Sequence, residues 1–411
     1  MDSSVRNPQH MLFLVIGCLM VGQLGETIYL PAMPEMVIAL ECGTGDIQWI
    51  LSAYLLGFGV CQFIYGPLSD FYGRRPIVLG SLGIYLIGSL LCVFTNHAKL
   101  LILGAFIAGA GIGSGGLMAR TAMRDMFDGV ALQRALALVG IAVVFTPMAA
   151  PVAGAYMLEQ FGWRSNFVIF LIAGLAFMLL TYLKFEETNP YCREYPLSVM
   201  GSLRRYRTVI THPIFYGNML CGMMNIAAIM SYELVAPFLF QKQMGFTPIA
   251  YAWFALIPVA GYLAGSACSG FLARFMSAEN IAWVGNISVC LACVTLYIPI
   301  WINTYTLATI LPQLILIMFG SGIIFSTTTA AALMPFRHES GIAGATIGGL
   351  QNIGAGALTG VMSLLEIETL TPLVHTLTIS TIIGTLCFAA GCRGARRLPT
   401  PRPVVNKAMA A

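Results

Sequence analysis

Glu26 and Glu233 stand inside long apolar stretches of the chain, at 11–33 and 214–240. Of the 17 acidic residues, only these two lie well within such stretches. A carboxylate in hydrocarbon is expensive, so it must pair, face a water-filled cavity or take a proton. One that alternates between dry and wet surroundings exchanges a proton with them, which makes Glu26 and Glu233 the candidate proton-coupling residues. The competing reading is a protonated Glu hydrogen-bonded to a neighbour, with no further role. No nucleophile triad, phosphate loop or nucleic-acid patch accompanies them. Histidines such as His338 and His375 lack ligand spacing. The chain therefore reads as no enzyme, with no cofactor, no metal and no nucleic-acid partner.

Other residues could serve the same chemistry. Arg120 follows the glycine-rich run 111–119 and either snorkels to the water boundary or faces a cavity as counter-charge. Gly111, Gly113 and Gly116 fit the spacing of a dinucleotide loop. No strand precedes them, so close helix approach is the better explanation. Gln351 and Asn352 are an uncharged polar pair amid apolar residues, suited to helix–helix hydrogen bonds or to substrate contact. Tyr29, Tyr54, Phe58, Phe145, Tyr232 and Met230 lie near the two acids in sequence. They are candidates for an adaptable apolar wall, with ordinary packing as the alternative. Pro147, Pro151 and Gly154 mark either a bent gating helix or a fixed kink, because two prolines a turn apart leave backbone groups unpaired. In a membrane such a bend survives where neighbours or a cavity satisfy those groups.

The elements that must hold these residues are membrane helices. The chain has 411 residues, 58% hydrophobic and 9% charged, and a mean hydropathy of +0.82. Soluble domains carry about 25% charged residues. A span needs about 20 apolar residues, and the runs are continuous rather than alternating, which excludes a barrel. Twelve spans are expected, at 11–33, 48–67, 77–95, 100–119, 135–158, 166–183, 214–240, 249–273, 281–300, 306–333, 342–365 and 372–390. The first reads as a retained span, not a signal peptide. The 11 cysteines show no disulfide or zinc spacing.

With both termini cytoplasmic, the outward loops carry only Lys99, Arg164 and Lys242 of the 21 basic residues. This asymmetry follows the positive-inside rule. The longest polar connection, 184–212, divides the chain into an N-terminal six-helix bundle (1–183), a cytoplasmic linker (184–212), a C-terminal six-helix bundle (213–390) and a tail (391–411). Its Arg204, Arg205 and Arg207 are a topology signal or a contact for anionic lipid. The halves look related. Glu26 precedes Pro31 as Glu233 precedes Pro237, and Gly66 to Phe71 has a worn copy in Gly270 to Phe275, with Arg274 replacing the aspartate. Six-span repeats around a central site are the mark of a secondary transporter.

Between spans two and three lies Gly66-Pro67-Leu68-Ser69-Asp70-Phe71-Tyr72-Gly73-Arg74-Arg75-Pro76. This stretch resembles the signature of the major facilitator superfamily, with Phe71 where a basic residue is usual. Thr146 to Gly154 resembles the span-five antiporter motif in its Bcr/CflA-type form. Arg124-Asp125, Glu186-Glu187-Thr188, Thr27 to Pro31, Met118 to Thr121 and Gly348 to Gly356 resemble the same drug:proton antiporter subfamily.

The resemblance implies an all-α membrane protein of twelve helices in two pseudo-symmetric bundles around a central cavity. It also implies alternating access and proton-driven export of amphipathic compounds from the bacterial inner membrane. The expected partners are a small-molecule substrate, protons and membrane lipids, with the chain acting as a monomer. Gly66, Asp70, Gly73, Arg74 and Arg75 become gating residues. Asp70 is expected against a neighbouring helix terminus, latching the outward-open state. Two departures stand out. The span-four arginine of the family falls at Ala105, and its span-one acid falls at Thr27. Glu26 is then expected to take over the acid's role, and Arg120 to supply the missing positive charge. An exporter dedicated to one metabolite, such as a siderophore or amino-acid derivative, is the alternative. A non-transporting receptor would call for a soluble output domain, and the longest polar connection has under 30 residues.

Overall fold

The computed structural model describes residues 8–127, 129–189, 199–336, 340–365 and 368–395. Arg120 and Arg124 lie in a described helix, but their side chains fall outside the described residues, as do His338 and the tail beyond Ala395. Every regular element among the described residues is helical. Hydrocarbon offers backbone groups no partners, so each apolar run must satisfy its own hydrogen bonds as a helix.

The N-terminal half contains α1 (Pro8–Thr27), α2 (Met33–Ala39), α3 (Thr44–Tyr72), α4 (Arg74–Phe94), α5 (Ala98–Met126), α6 (Gly129–Phe161) and α7 (Arg164–Lys184). A connector helix, α8 (Val199–Ile210), follows. The C-terminal half contains α9 (Pro213–Pro237), α10 (Pro248–Leu272), α11 (Ala278–Thr295), α12 (Tyr297–Trp301), α13 (Leu307–Leu333), α14 (Ser340–Leu364) and α15 (Leu370–Ala395). Among the described residues, eleven helices are long and apolar enough to cross a membrane. The glycine-rich α14 is the twelfth span. Its 25 residues reach about 37 Å at 1.5 Å per residue.

The packing pattern repeats. In the first half α5 packs on α1, α3 and α4, α7 on α1 and α4, and α6 on α1. In the second half α13 packs on α9, α10 and α11, α15 on α9 and α11, and α14 on α9. Replacing each span of one half by its counterpart in the other turns one set into the other. The bundles meet along two seams exchanged by the same operation, α3 against α14 and α6 against α10. The first seam is tight. A β-carbon on Gly59 would come within 2.7 Å of the Gly349 carbonyl oxygen.

Both leading helices break just past their carboxylate. After Thr27 the chain runs through a 3-10 turn at Leu30–Ala32 into α2, so the first span extends to Ala39 rather than ending near 33. Pro31 and Pro34 lie at the starts of these two short pieces. In the second half, Pro237 ends α9 and a π-turn occupies Phe238–Gln243. Pro147 and Pro151, by contrast, lie within the continuous α6.

The polar connection expected after the sixth span contains the helix α8. Tyr206 of α8 packs edge-on against Phe63 of α3, with ring centroids 5.4 Å apart. Its hydroxyl donates to the Phe63 carbonyl oxygen at 3.3 Å. Burial pushes that hydroxyl up to about 12, so it remains a donor. Arg204, Arg205 and Arg207 point to solvent.

Candidate functional site: a two-acid cavity between the bundles

The two bundles enclose a cavity of about 280 Å³. Glu26 on α1 and Glu233 on α9, the leading helices of the two halves, both line it. Pro147, Met230, Gln351 and Asn352 also contribute to its wall. Leu19 of α1, Gln62 of α3 and Ala119 of α5 line it nearer the 66–76 turn. Leu19 lies about 10 Å along α1 from Glu26, at 1.5 Å per residue. The carboxylates therefore sit toward the end of the cavity opposite that turn.

That opposite end is bridged. The Thr44 hydroxyl donates to Glu368 Oε1, which also pairs with Lys242 Nζ at 3.2 Å. Gln241 Nε2 donates to the Pro31 carbonyl oxygen at 2.9 Å, and Ser52 donates to Thr359 at 3.0 Å. Three of these contacts (Thr44–Glu368, Gln241–Pro31 and Ser52–Thr359) join one bundle to the other.

Among the residues lining the cavity, no described side chain is cationic. The wall is otherwise mostly aliphatic, thioether and amide. With its acids ionised, such a wall carries negative charge beside a largely apolar surface.

Five residues expected at the wall take other positions. Tyr29 lies beyond the break in the first span and stacks on Phe167 at 5.6 Å. The Tyr54 hydroxyl donates to the Gly22 carbonyl oxygen at 2.7 Å, which tethers α3 to α1. Phe58 is buried beside Tyr54, 6.3 Å away. Tyr232 is buried one residue before Glu233, hence about 100° around the helix. Phe145, two residues before Pro147, lies on the outer surface of α6 with 53% exposure. Gly154 packs against the Ile28 carbonyl where α1 ends. Pro151, one turn before it, does not line the cavity. Gln23, Gln62, Tyr262 and Phe325 do line it, unannounced by any motif. A lone amide or aromatic in an apolar helix carries no sequence signal.

The 66–76 stretch is no extended loop. α3 runs to Tyr72 and α4 starts at Arg74, past the span ends expected at 67 and 77, so the chain turns at Gly73 alone. The turn is built around Arg74. Gly73 has φ +98°, a backbone that only glycine adopts without strain. The turn it makes carries the Arg74 guanidinium inward. Arg74 Nη1 pairs with Asp70 Oδ1 at 2.6 Å and donates to Ser69 Oγ at 2.6 Å. Its Nε pairs with Asp125 Oδ2 at 3.1 Å. Asp70 thus pairs across the turn, from the end of α3 to the start of α4. The carboxylate at a helix terminus is Glu187, which accepts the backbone N–H of Arg74 at 2.8 Å and of Arg75 at 3.1 Å. Arg75 Nη2 donates to the Tyr182 carbonyl oxygen at 2.8 Å. Asn189 Nδ2 donates to the Asp70 carbonyl oxygen at 3.0 Å. Each of these partners belongs to the first half or the residues just after it. The network therefore binds that bundle to itself.

Twelve membrane helices, two related bundles and a shared cavity define a solute transporter. The chain belongs to the Major Facilitator Superfamily, whose family model matches residues 15–359. It is 32% identical over 362 residues to Multidrug resistance protein D of Escherichia coli (strain K12), covering 88% of this chain and 90% of that one. It is 25% identical over 362 residues to Multidrug resistance protein MdtL of Salmonella paratyphi C, covering 88% and 90%. The fold matches a partially occluded, inward-open structure of the xylose transporter XylE from E. coli. The TM-score is 0.70 at 12% identity, with 95% of this chain and 98% of that chain covered. The chain is a multi-pass membrane transporter and not an enzyme.

Proposed function

We propose that this protein exports amphipathic, chiefly cationic, compounds across the bacterial inner membrane in exchange for protons, by alternating access. The observation that carries this reading is the sharing of one largely apolar cavity by Glu26 and Glu233. The multidrug-resistance names of the relatives support the substrate class. Loss of a proton from the acids leaves a negative cavity that takes up a cation from the cytoplasm or inner leaflet. Reprotonation from the other side displaces the cation, and competition for the carboxylates couples the two fluxes. Both termini face the cytoplasm, so the 66–76 turn is cytoplasmic and the Thr44–Glu368 contact is external. On that orientation the structure is closed outward. Asp70, Arg74, Arg75 and Gly73 keep the first bundle a rigid body as it rocks, and Pro147, Pro151 and Gly154 shape the helix that moves with it. Arg120 supplies countercharge near the inner end of α5.

The test is transport in proteoliposomes under an imposed pH gradient, with a panel of cationic, neutral and anionic amphipaths. Cation flux that dissipates the gradient supports antiport, and Glu26→Gln is expected to abolish uphill export. Uphill, pH-dependent export by that variant would remove Glu26 from the mechanism. Flux of one metabolite alone would favour a dedicated exporter.

A further inference from the structure

The helix α8 presents two faces. One is held by the protein. Val209 is fully buried in an apolar cluster with Phe215, Phe336 and Ile347 of the second half, while Tyr206 bonds to α3 of the first half. The other face is bare. Met200, Leu203, Arg204 and Arg207 have the i, i+3, i+4, i+7 spacing of a single helix stripe, with Arg205 at its edge. Met200 is 76% exposed and Leu203 56%, and the three arginines are exposed as well. The helix contains no acid. None of the ion pairs among the described residues includes these arginines.

The anchors of α8 fix its depth. Tyr206 bonds to the Phe63 carbonyl oxygen, nine residues before α3 ends at Tyr72, or about 14 Å along that helix. The helix α8 therefore flanks α3 rather than lying past its end. Two residues separate its last residue, Ile210, from Pro213, where the membrane span α9 begins. A helix tied at both places stays at the boundary between hydrocarbon and water. A stripe meant for water or for a soluble anion has no use for an exposed methionine and leucine, and a topology signal needs charge alone. A lipid surface takes both parts. The apolar side chains reach the acyl boundary, and the guanidinium groups bond to phosphates above it.

We propose that this face of α8 docks on the anionic phospholipid headgroups of the protein's own membrane, with Arg204, Arg205 and Arg207 on the phosphates and Met200 and Leu203 below them. On the orientation proposed above, that surface is the inner leaflet. The docking itself rests on neither the orientation nor the substrate reading.

The experiment titrates short-chain phosphatidylglycerol or phosphatidylcholine, matched in chain length, into the purified full-length protein in non-ionic detergent. The thermal unfolding midpoint is the readout. Phosphatidylglycerol is expected to reach half its effect at about a tenfold lower concentration than phosphatidylcholine, and high salt to shrink that advantage. Arg204→Gln, Arg205→Gln and Arg207→Gln together are expected to remove it. Arg274→Gln, at an exposed arginine outside α8, is expected to keep it. Met200→Ser with Leu203→Ser leaves every charge in place and is expected to weaken the response to both lipids. Gel filtration checks that the variants fold, and the wild-type ratio and the Met200, Leu203 pair decide should the triple variant not fold. An equal wild-type response to the two lipids overturns the proposal. An advantage that survives loss of the three arginines places the lipid elsewhere and overturns the role of α8. An unchanged response after Met200→Ser with Leu203→Ser overturns the apolar half of the contact. The same shift produced by sn-glycerol 1-phosphate at equal concentration shows a site for a soluble anion and overturns the membrane partner. Each of these outcomes leaves the cation-export reading as it stands.

Discussion

Glu187 closes the N-terminus of α4 from 113 residues away, accepting the backbone N–H groups of Arg74 and Arg75 at 2.8 and 3.1 Å. Its carboxylate also accepts the Asn189 N–H at 3.0 Å. It seats on Gly73, where a β-carbon would lie 2.5 Å from Oε2. A negative group at this position satisfies donors that α4 cannot satisfy itself and meets the positive end of its dipole.

Glu187→Ala removes that cap, and a loss of about 1–2 kcal/mol is expected. Thermal unfolding in detergent reads this as a lowered midpoint. Gly73→Ala should be destabilising too, through both the positive φ and the occupied space. An unchanged midpoint for Glu187→Ala would show that water replaces the carboxylate at no cost.

The two aspartates on Arg74 are not equivalent. The Asp70 side chain is 63% exposed, and exposed pairs contribute about 0–1 kcal/mol. The Asp125 side chain is 21% exposed. Removing it from a guanidinium that is 8% exposed should cost about 2 kcal/mol, discounted for partial exposure from the 3–5 of a fully buried pair. Asp125→Asn is therefore expected to lower the unfolding midpoint more than Asp70→Asn. The reverse order would place the weight on the pair between Asp70 and Arg74.

Protons and cations compete for Glu26 and Glu233 in the proposed cycle. Cation binding should weaken as pH falls, because protonation removes the negative charge that attracts the ligand. The double variant Glu26→Gln, Glu233→Gln should bind cations weakly at every pH, with a flat profile. Titration of binding across the neutral and acid range checks this. A profile in the double variant as steep as in the wild type would assign the titration to other groups.

At the end of the cavity near the acids, the outer one on the proposed orientation, the bundles are joined among the described residues by contacts that include Thr44 with Glu368. Thr44→Val with Glu368→Gln should raise the population open on that side. Spin labels at Glu41 and Tyr305, both exposed, would report a longer distance component. An unaltered distance distribution would show that the helix seams hold the end shut without these contacts.

That Glu26 and Glu233 would stand at a cavity was legible, because a carboxylate in an apolar run has few innocent explanations. The same logic gave the twelve spans and the related halves. Gln62 was not legible, since an amide in a membrane helix is as well explained by neighbours as by ligands. The cap by Glu187 joins residues too distant in sequence for any local pattern to announce. Tyr29 and Tyr232 were expected at the wall from proximity along the chain. A helix break in one case and a rotation of about 100° per residue in the other carry them elsewhere. The helix α8 was hidden in a segment whose charge spoke only of the membrane surface.

The breaks past Glu26 and Glu233 have a mechanical meaning. Regular helix is stiff because each turn is bonded to the next. Beyond Thr27 and beyond Pro237 that ladder is interrupted, by a 3-10 turn in one bundle and a π-turn in the other. The two interrupted segments hold each other through Gln241 and the Pro31 carbonyl. Compliance is thus concentrated on the far side of each carboxylate, paired across the seam like two leaves of a valve. On the proposed orientation, bending at these breaks would open the outer mouth and leave both acids in the regular helix behind them.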